Sequence, residues 1–406
     1  MNSLLISGFG TNISVDKRRL IIQNKLDNKR LEFYPHQIKH DSIIIDGYTG
    51  NITFESIRWL MKHNVSVTIL NWNGNLLGTI LPKEPISSRL KLKQYERYLN
   101  DKTRYYIAYS IIEKKVSTGY ELLRELSKYY NQIKLEDVDK GFKFEKSAFL
   151  KVTKPSEIKK RLMVLRAYEG RVADFYWKTI YNVFNSVAPE FNFNRRNNAI
   201  HRHNMNASDE INALLNYGYA VLESEIKKDL NDVGLDSTIG FLHEVSDSKM
   251  PLVYDLQELY RWLIDKSVIE LLEDKKLKKS DFIVTENYHI RLTETTAKLL
   301  IDKINTNFNS RIQYNGKMNT YQTVLLEQIR KLAKYVSGQS SNLFFDKFEI
   351  EPNRKDNLDV RDRISSITPQ DRKKLSINKS TLWYMQKYVR EGKKIKVYSK
   401  VMDKIN

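Results

Sequence analysis

The hydrophobic period of the chain changes after Pro82, and that change limits it to a fold built from a β part and a separate helical part. Up to about residue 83, apolar residues come in short alternating or β-branched runs: Ser3 to Ser7, Arg19 to Ile22, Ser42 to Ile45, Val65 to Leu70 and Leu76 to Leu81. Gly, Asn and Asp separate the runs, and Asn73-Gly74 carries a hairpin signal because both residues accept the backbone of a tight turn. One helix is expected among the strands, from about Thr53 as N-cap to Lys62, with Phe54, Ile57 and Leu60 or Met61 facing inward.

Beyond Pro82 and Pro85 the segments lengthen and take a 3.6-residue period, which predicts a helical domain over 88–337. Within it Gln132 to Lys151 is charged and irregular and reads as an excursion between helices. A Gly/Ser/Asn break at Gly338 to Asn342 sets off a third unit over 344–406. The expected fold class is α+β: a β domain over 1–83, a large α-helical domain over 88–337 and a small C-terminal helix-turn-helix domain over 344–406.

The last unit carries its own signals. Thr368 can cap a helix with Pro369 in its first position and Asp371 three residues after the cap; a second helix follows a turn at Ser376 to Asn378 and stops at Gly392. The second helix would present Lys379, Ser380, Thr381, Tyr384 and Lys387 outward, with Lys393 and Lys394 adding charge just beyond it. Leu375, Ile377, Leu382, Met385 and Val389 supply the packing side, an arrangement suited to the groove of double-stranded DNA.

Charge supports a polyanionic partner. The formal net charge is +19, and a Lys-, Asn- and Ile-rich composition could produce such an excess without function. Its distribution argues otherwise, because Ser366 to Asn406 holds eleven Lys or Arg against three Asp or Glu. No apolar run approaches the ~18 residues of a membrane span, and Met1 to Gly10 lacks the basic start and apolar stretch of a signal peptide, so a cytoplasmic protein with no membrane partner is expected. Cys is absent, which leaves only oxygen and nitrogen donors for any metal.

Two stretches place chemistry where a helical protein keeps apolar side chains. In LRAYEGRVADFYW the stripe Leu162, Leu165, Val172, Tyr176 has Glu169 as its missing member, and a carboxylate in that register needs a cationic partner. In GFLHEVSDSKMPLVYDLQELYRW, His243 sits on a Gly-led turn, a loop runs through Asp247, Lys249 and Pro251, and a helix follows with the stripe Leu252, Leu256, Leu259, Leu263. Asp255 and Glu258 stand one turn apart on its flank and repel each other, which a divalent cation would relieve. With Glu169 and His243 they form a carboxylate-plus-imidazole set suited to Mg²⁺, or with the imidazole to Mn²⁺. A single His or helix-face Glu is more often a plain structural residue; the combination within a basic protein carries the reading.

At these residues the chain resembles the universal CRISPR-associated adaptation integrase family. The segments that carry the likeness are EGRVADFYW, FNFNRRNNAIHRHNMNASDEINALLNYGY and GFLHEVSDSKMPLVYDLQELYR, in the same order and spacing, with lesser matches in NVSVTILNWNGNLLGTI, DFIVTENYHIRLT and LLEQIRKLAKYV. The resemblance covers about residues 1–337. It implies a β-sandwich-like N-terminal domain through which subunits dimerise and an α-helical catalytic domain. It also implies that Glu169, His243 and Glu258 bind Mn²⁺ or Mg²⁺, with Asp255 as an assisting carboxylate and Arg195, Arg196 and Arg261 as DNA contacts.

Members devoted to adaptation usually end near the segment matching Lys331 to Val336, whereas this chain continues for some seventy residues. In that respect it resembles the casposases, the branch that integrates mobile elements. The expected activity is metal-dependent joining of DNA 3′-hydroxyl ends to a target phosphodiester, with endonuclease activity when water replaces the hydroxyl. Expected partners are double-stranded and branched DNA and a second copy of the chain, with a tetramer forming on DNA. The alternatives are a spacer-acquisition integrase working with a small adaptation partner protein, a structure-selective repair nuclease and a non-catalytic sequence-specific DNA-binding protein.

Overall fold

The computed structural model describes every residue except 8–9, 25–28, 48, 72, 84, 86, 153–154, 197–206, 247–248, 275–276, 287–288, 347–363, 366 and 391–406. Two compact units divide the chain, Met1–Glu349 and Ile350–Asn406. The α+β class expected from the period change is the class observed.

The first unit begins with β1 (Ser3–Ser7), β2 (Thr11–Asp16), β3 (Arg19–Asn24), β4 (Lys29–Phe33), β5 (Ser42–Asp46), β6 (Gly50–Ile52), α1 (Phe54–Lys62), β7 (Ser66–Leu70) and β8 (Leu76–Ile80). They form two four-stranded sheets, ordered β1-β5-β7-β8 and β4-β3-β2-β6. Ile6 and Ile43 from the first sheet, Ile13, Leu20 and Ile22 from the second, and Trp59 and Leu60 from α1 share one core. The hairpin signal is realised between β7 and β8. Asn71 N–H bonds Asn75 O at 2.8 Å, and Gly74 takes φ +78, which only glycine adopts cheaply.

Three strands of this part, β2, β4 and β6, escaped the sequence reading. Thr53 caps α1 by accepting from the Ser56 N–H, as expected, but the inward face differs. Ser56, Trp59 and Leu60 are buried, and Phe54, on the opposite side of the helix, is 83% exposed.

The helical part comprises α2 (Ser88–Leu99), α3 (Asp101–Leu126), α4 (Leu135–Lys151), α5 (Ile158–Val187), α6 (Glu210–Val233), α7 (Pro251–Gln257), α8 (Arg261–Asp274), α9 (Glu294–Phe308) and α10 (Tyr321–Ser337). Two short hairpins flank α9: β9 (Phe282–Val284) with β10 (Ile290–Leu292), and β11 (Arg311–Tyr314) with β12 (Lys317–Thr320). The segment expected to be irregular is instead the regular helix α4, whose Val138, Phe142 and Phe149 are buried. The helix expected through Asp255 and Glu258 is broken. Between α7 and α8 the backbone tightens to i→i+3 bonds, Tyr260 N to Gln257 O at 3.0 Å and Leu263 N to Tyr260 O at 3.0 Å, so Glu258 stands at a bend.

The β and helical parts interlock within this unit. Asn305 of α9 brackets Ser3 of β1, accepting from its N–H at 3.2 Å and donating to its carbonyl at 3.0 Å. Tyr217 of α6 donates to Asp46 at the end of β5 at 2.9 Å.

The second unit holds α11 (Pro369–Lys374) and α12 (Lys379–Arg390). Thr368 and Asp371 form the reciprocal capping box read from the sequence, with Pro369 in the first turn. Ser376, at φ +51, turns the chain between the helices, and Arg372 donates to Ile377 O at 3.0 Å across the turn. Ile364, Ile377, Leu382 and Met385 are buried, while Lys379, Ser380 and Tyr384 are exposed and Thr381 and Lys387 half-buried. Lys393 and Lys394 lie outside the described residues.

Candidate active site

Glu169 on α5 is not itself in the buried stripe. That stripe runs Leu162, Leu165, Tyr168, Val172, Tyr176, and Glu169 stands at its edge, 24% exposed, on the wall of a cavity of about 1550 Å³. The cationic partner that its register demanded is Lys115 of α3, whose ammonium bonds Glu169 Oε1. The same ammonium lies 2.6 Å from Glu258 Oε2. Two carboxylates from separate elements thus meet on one cation.

Glu258 is buried, and Arg261 Nε approaches its other oxygen at 3.5 Å. Burial pushes the Glu258 carboxyl up, but the charges of Arg261 and Lys115 outweigh burial and hold it at about 2. It is therefore an anion at any working pH. Lys115 is opposed by burial and supported by Glu258 and Glu169, with the net result that its ammonium is held above the ordinary lysine range.

His243 lines the same cavity. Its position is fixed by a turn gripped on both sides. Asp255, fully buried, accepts the N–H groups of Phe241, Leu242 and His243 at 2.5, 2.9 and 3.0 Å, and His243 Nδ1 lies 2.7 Å from its Oδ1. With Nδ1 on the carboxylate, Nε2 is the ring nitrogen available to a metal or a proton. From the other side Arg104 of α3 donates to Phe241 O at 3.3 Å, and Arg166 of α5 donates to Leu242 O. Both arginines also bind Glu244, each at 3.1 Å. Asp255, expected to assist as a nearby carboxylate, thus has both oxygens committed to the turn.

The three expected metal ligands share the cavity wall, but they do not close on one point. Glu169 and Glu258 converge on Lys115 while His243 is held by Asp255, and among the described residues no three His, Asp or Glu side chains are gathered to hold an ion in this geometry. The donor chemistry nevertheless fits a divalent cation: two carboxylates already share a positive charge, and an imidazole with one nitrogen available faces the same space.

The arginines frame the other side. Arg195 is exposed and lines the cavity. Arg196 is seated by Asn212 and Asn216 of α6, the latter at 2.7 Å. The guanidinium carbons of Arg196 and Arg261 each lie 5.1 Å from the centre of the Tyr219 ring, so one aromatic ring orients both cations. Tyr219 and Tyr176 both donate to Asp265, the latter at 2.7 Å. Burial raises the Asp265 carboxyl to about 6, although both hydroxyls and Arg196 draw it down.

Lys115, Arg104, Arg166, Glu244 and Tyr219 were not singled out in the sequence, and Tyr176 was read only as a member of the apolar stripe. Lys115 carried a usable signal, because Ala108, Ile111, Lys115 and Leu122 follow helical spacing and place a cation in an apolar register.

Known proteins resemble the chain in sequence and in fold. The family model described as CRISPR associated protein Cas1 matches residues 4–306. A CRISPR-associated endonuclease Cas1 from Archaeoglobus fulgidus is 26% identical over 83% of this chain and 96% of its own. Among solved structures, a casposase bound to integration product is 37% identical with a TM-score of 0.78, covering 90% of this chain and 99% of that one. A Cas1 protein from Thermotoga maritima shares the fold, with a TM-score of 0.65 at 17% identity over 86% of this chain.

Proposed function

The chain belongs to the Cas1 family of DNA endonucleases and integrases, and within it we propose a casposase: a divalent-metal-dependent enzyme that joins DNA 3′-hydroxyl ends to a target phosphodiester by transesterification. A 3′-hydroxyl displaces a 3′-oxygen at the target phosphorus, so one phosphodiester forms as another breaks and no external energy source is consumed. Water in place of the hydroxyl gives hydrolysis at the same site.

The observation that carries this reading is the convergence of Glu169 and Glu258 on one positive charge, in a cavity that also holds His243, Arg195, Arg196 and Arg261. Glu169, Glu258 and His243 would hold Mn²⁺ or Mg²⁺, which when bound supplies Lewis-acid polarisation of the phosphate. Arg261 beside Glu258, and Arg196 on the same Tyr219 ring, offer phosphate-binding cations, and Asp255 orients the imidazole. The β domain would pair two copies, with a tetramer forming on DNA, and the C-terminal unit would read the element ends through α12.

The casposase branch is favoured over a spacer-acquisition role by two observations: the likeness over 99% of a casposase bound to integration product, and the basic unit beyond residue 350. The test is a gel assay joining a labelled 3′-hydroxyl duplex to a target in Mn²⁺ or EDTA. Glu169→Ala or His243→Ala is expected to abolish joining while DNA binding survives. Joining that persists in either variant, or in EDTA, refutes the site.

A further inference from the structure

Lys115 is part of neither the ligand set nor the set of DNA contacts, yet it is the side chain on which the site is assembled. It bonds Glu169 from α5 and lies 2.6 Å from Glu258 at the α7–α8 bend. With Arg261 on the second oxygen of Glu258, two carboxylates balance two cations. Adding a divalent ion between those carboxylates with Lys115 still in place would leave an excess of positive charge in a partly buried cavity, and the ammonium and the ion would compete for the same oxygens.

Of the two cations, Lys115 is the one built to yield. Both side chains line the cavity, but the Lys115 ammonium rides on a flexible four-carbon stem and can withdraw along the wall without moving α3. Arg261, though 37% exposed, is held at two further points, its guanidinium 5.1 Å from the centre of the Tyr219 ring and bonded to Gln257 at 3.1 Å.

Resting on the proposed metal site, we propose that Lys115 is the resident cation of that site: it bridges Glu169 and Glu258 in the metal-free enzyme and is displaced when a divalent ion binds. The lysine keeps two facing carboxylates charged and close together without a metal. In return it weakens metal binding, because each binding event must displace it. Lys115 is thus a positioning residue that sets the metal affinity of the centre.

The test is calorimetric titration of Mn²⁺ alone into the EDTA-stripped full chain, paired with thermal unfolding with and without Mn²⁺. Glu169→Gln is the control for the site, and wild-type Mn²⁺ affinity in that variant sinks the metal reading and this proposal with it. If Glu169→Gln weakens binding, Lys115→Met is expected to bind Mn²⁺ roughly tenfold tighter than wild type, the effect of removing one adjacent like charge. It is also expected to melt lower than wild type in EDTA and to gain more on Mn²⁺ addition. Unchanged or weaker Mn²⁺ binding by Lys115→Met overturns the role of Lys115 and leaves the metal site standing. Should Lys115→Met fold only when Mn²⁺ is present, the exchange of one cation for the other is shown directly. Lys115→Arg, which keeps the charge, is then expected to fold in EDTA and to bind Mn²⁺ no tighter than wild type, and tighter binding by it overturns the proposal.

Discussion

His243 Nδ1 lies 2.7 Å from Asp255 Oδ1, and that carboxylate also takes the three backbone N–H groups that form the His243 turn. Orientation of the imidazole and integrity of the turn therefore rest on one side chain. Asp255→Ala leaves buried donors unpaired and is expected to cost about 3 kcal/mol or more of stability, at roughly 1–3 kcal/mol per unsatisfied group. Asp255→Asn keeps one acceptor oxygen and is expected to fold but to bind Mn²⁺ about 10–100-fold more weakly, as loss of a ligand's supporting partner does. Thermal unfolding and Mn²⁺ titration check the two effects. Wild-type metal affinity in Asp255→Asn would remove the orienting role.

Gly240 has no room for a side chain. A Cβ there would lie 2.7 Å from Pro251 Cβ, 2.8 Å from the Pro251 carbonyl carbon and 3.0 Å from Asp255 Oδ2. Gly240→Ala must push α7 away from the turn, with an expected loss of about 1–3 kcal/mol and reduced strand joining. Gly170, beside Glu169 on α5, meets nothing within 4 Å, so Gly170→Ala is expected to gain about 0.5–1 kcal/mol from helix propensity alone. Melting temperatures of the two variants should move in opposite directions.

Glu169 drew attention as a carboxylate at an apparent gap in the apolar spacing; Tyr168 fills that gap and Glu169 stands at the edge of the stripe, while its partner Lys115 carried the inverse signal on α3. The break at Glu258 was not legible, since Leu252, Leu256, Leu259 and Leu263 keep unbroken helical spacing while the backbone between α7 and α8 tightens to i→i+3 bonds. Helix α4 escaped because its three buried residues are scattered among charges. The grip of Arg104 and Arg166 on the His243 turn joins residues more than seventy positions apart, and no local pattern reports such an interaction. Local caps fared best: Thr53, Thr368 and Asp371 act through neighbours three residues away.

Asp265 should leave a mark on the pH dependence of stability. Its carboxyl is raised to about 6 in the fold, chiefly by burial, against an ordinary value of 3.8. Between these values the folded chain holds a proton that the unfolded chain has released, so stability falls as pH rises through this window and is level above it. Two pKa units correspond to about 3 kcal/mol. The stability of wild type relative to Asp265→Asn, which cannot titrate, is expected to drop by that order between pH 4 and pH 7. Denaturant midpoints of both proteins at the two pH values provide the check, and a difference that stays flat would mean that Asp265 is ionised throughout.

The outward residues of α12 make a separable prediction. Lys379, Ser380 and Tyr384 are exposed on one helix whose opposite side, through Leu382 and Met385, is buried, so substitutions on the outer face should spare the fold. If that face reads DNA ends, replacing Lys379 and Lys387 by Gln removes charges that neutralise phosphates. The slope of log affinity against log salt should then shrink by roughly 0.9 for each phosphate left without its lysine. Recognition of specific element ends is expected to weaken more than joining on DNA that is already branched, because Glu169, Glu258 and His243 are untouched. Titrations of end-sequence and random duplexes at several salt concentrations, alongside the joining assay, distinguish the outcomes. An equal fall in both activities would assign α12 a structural role.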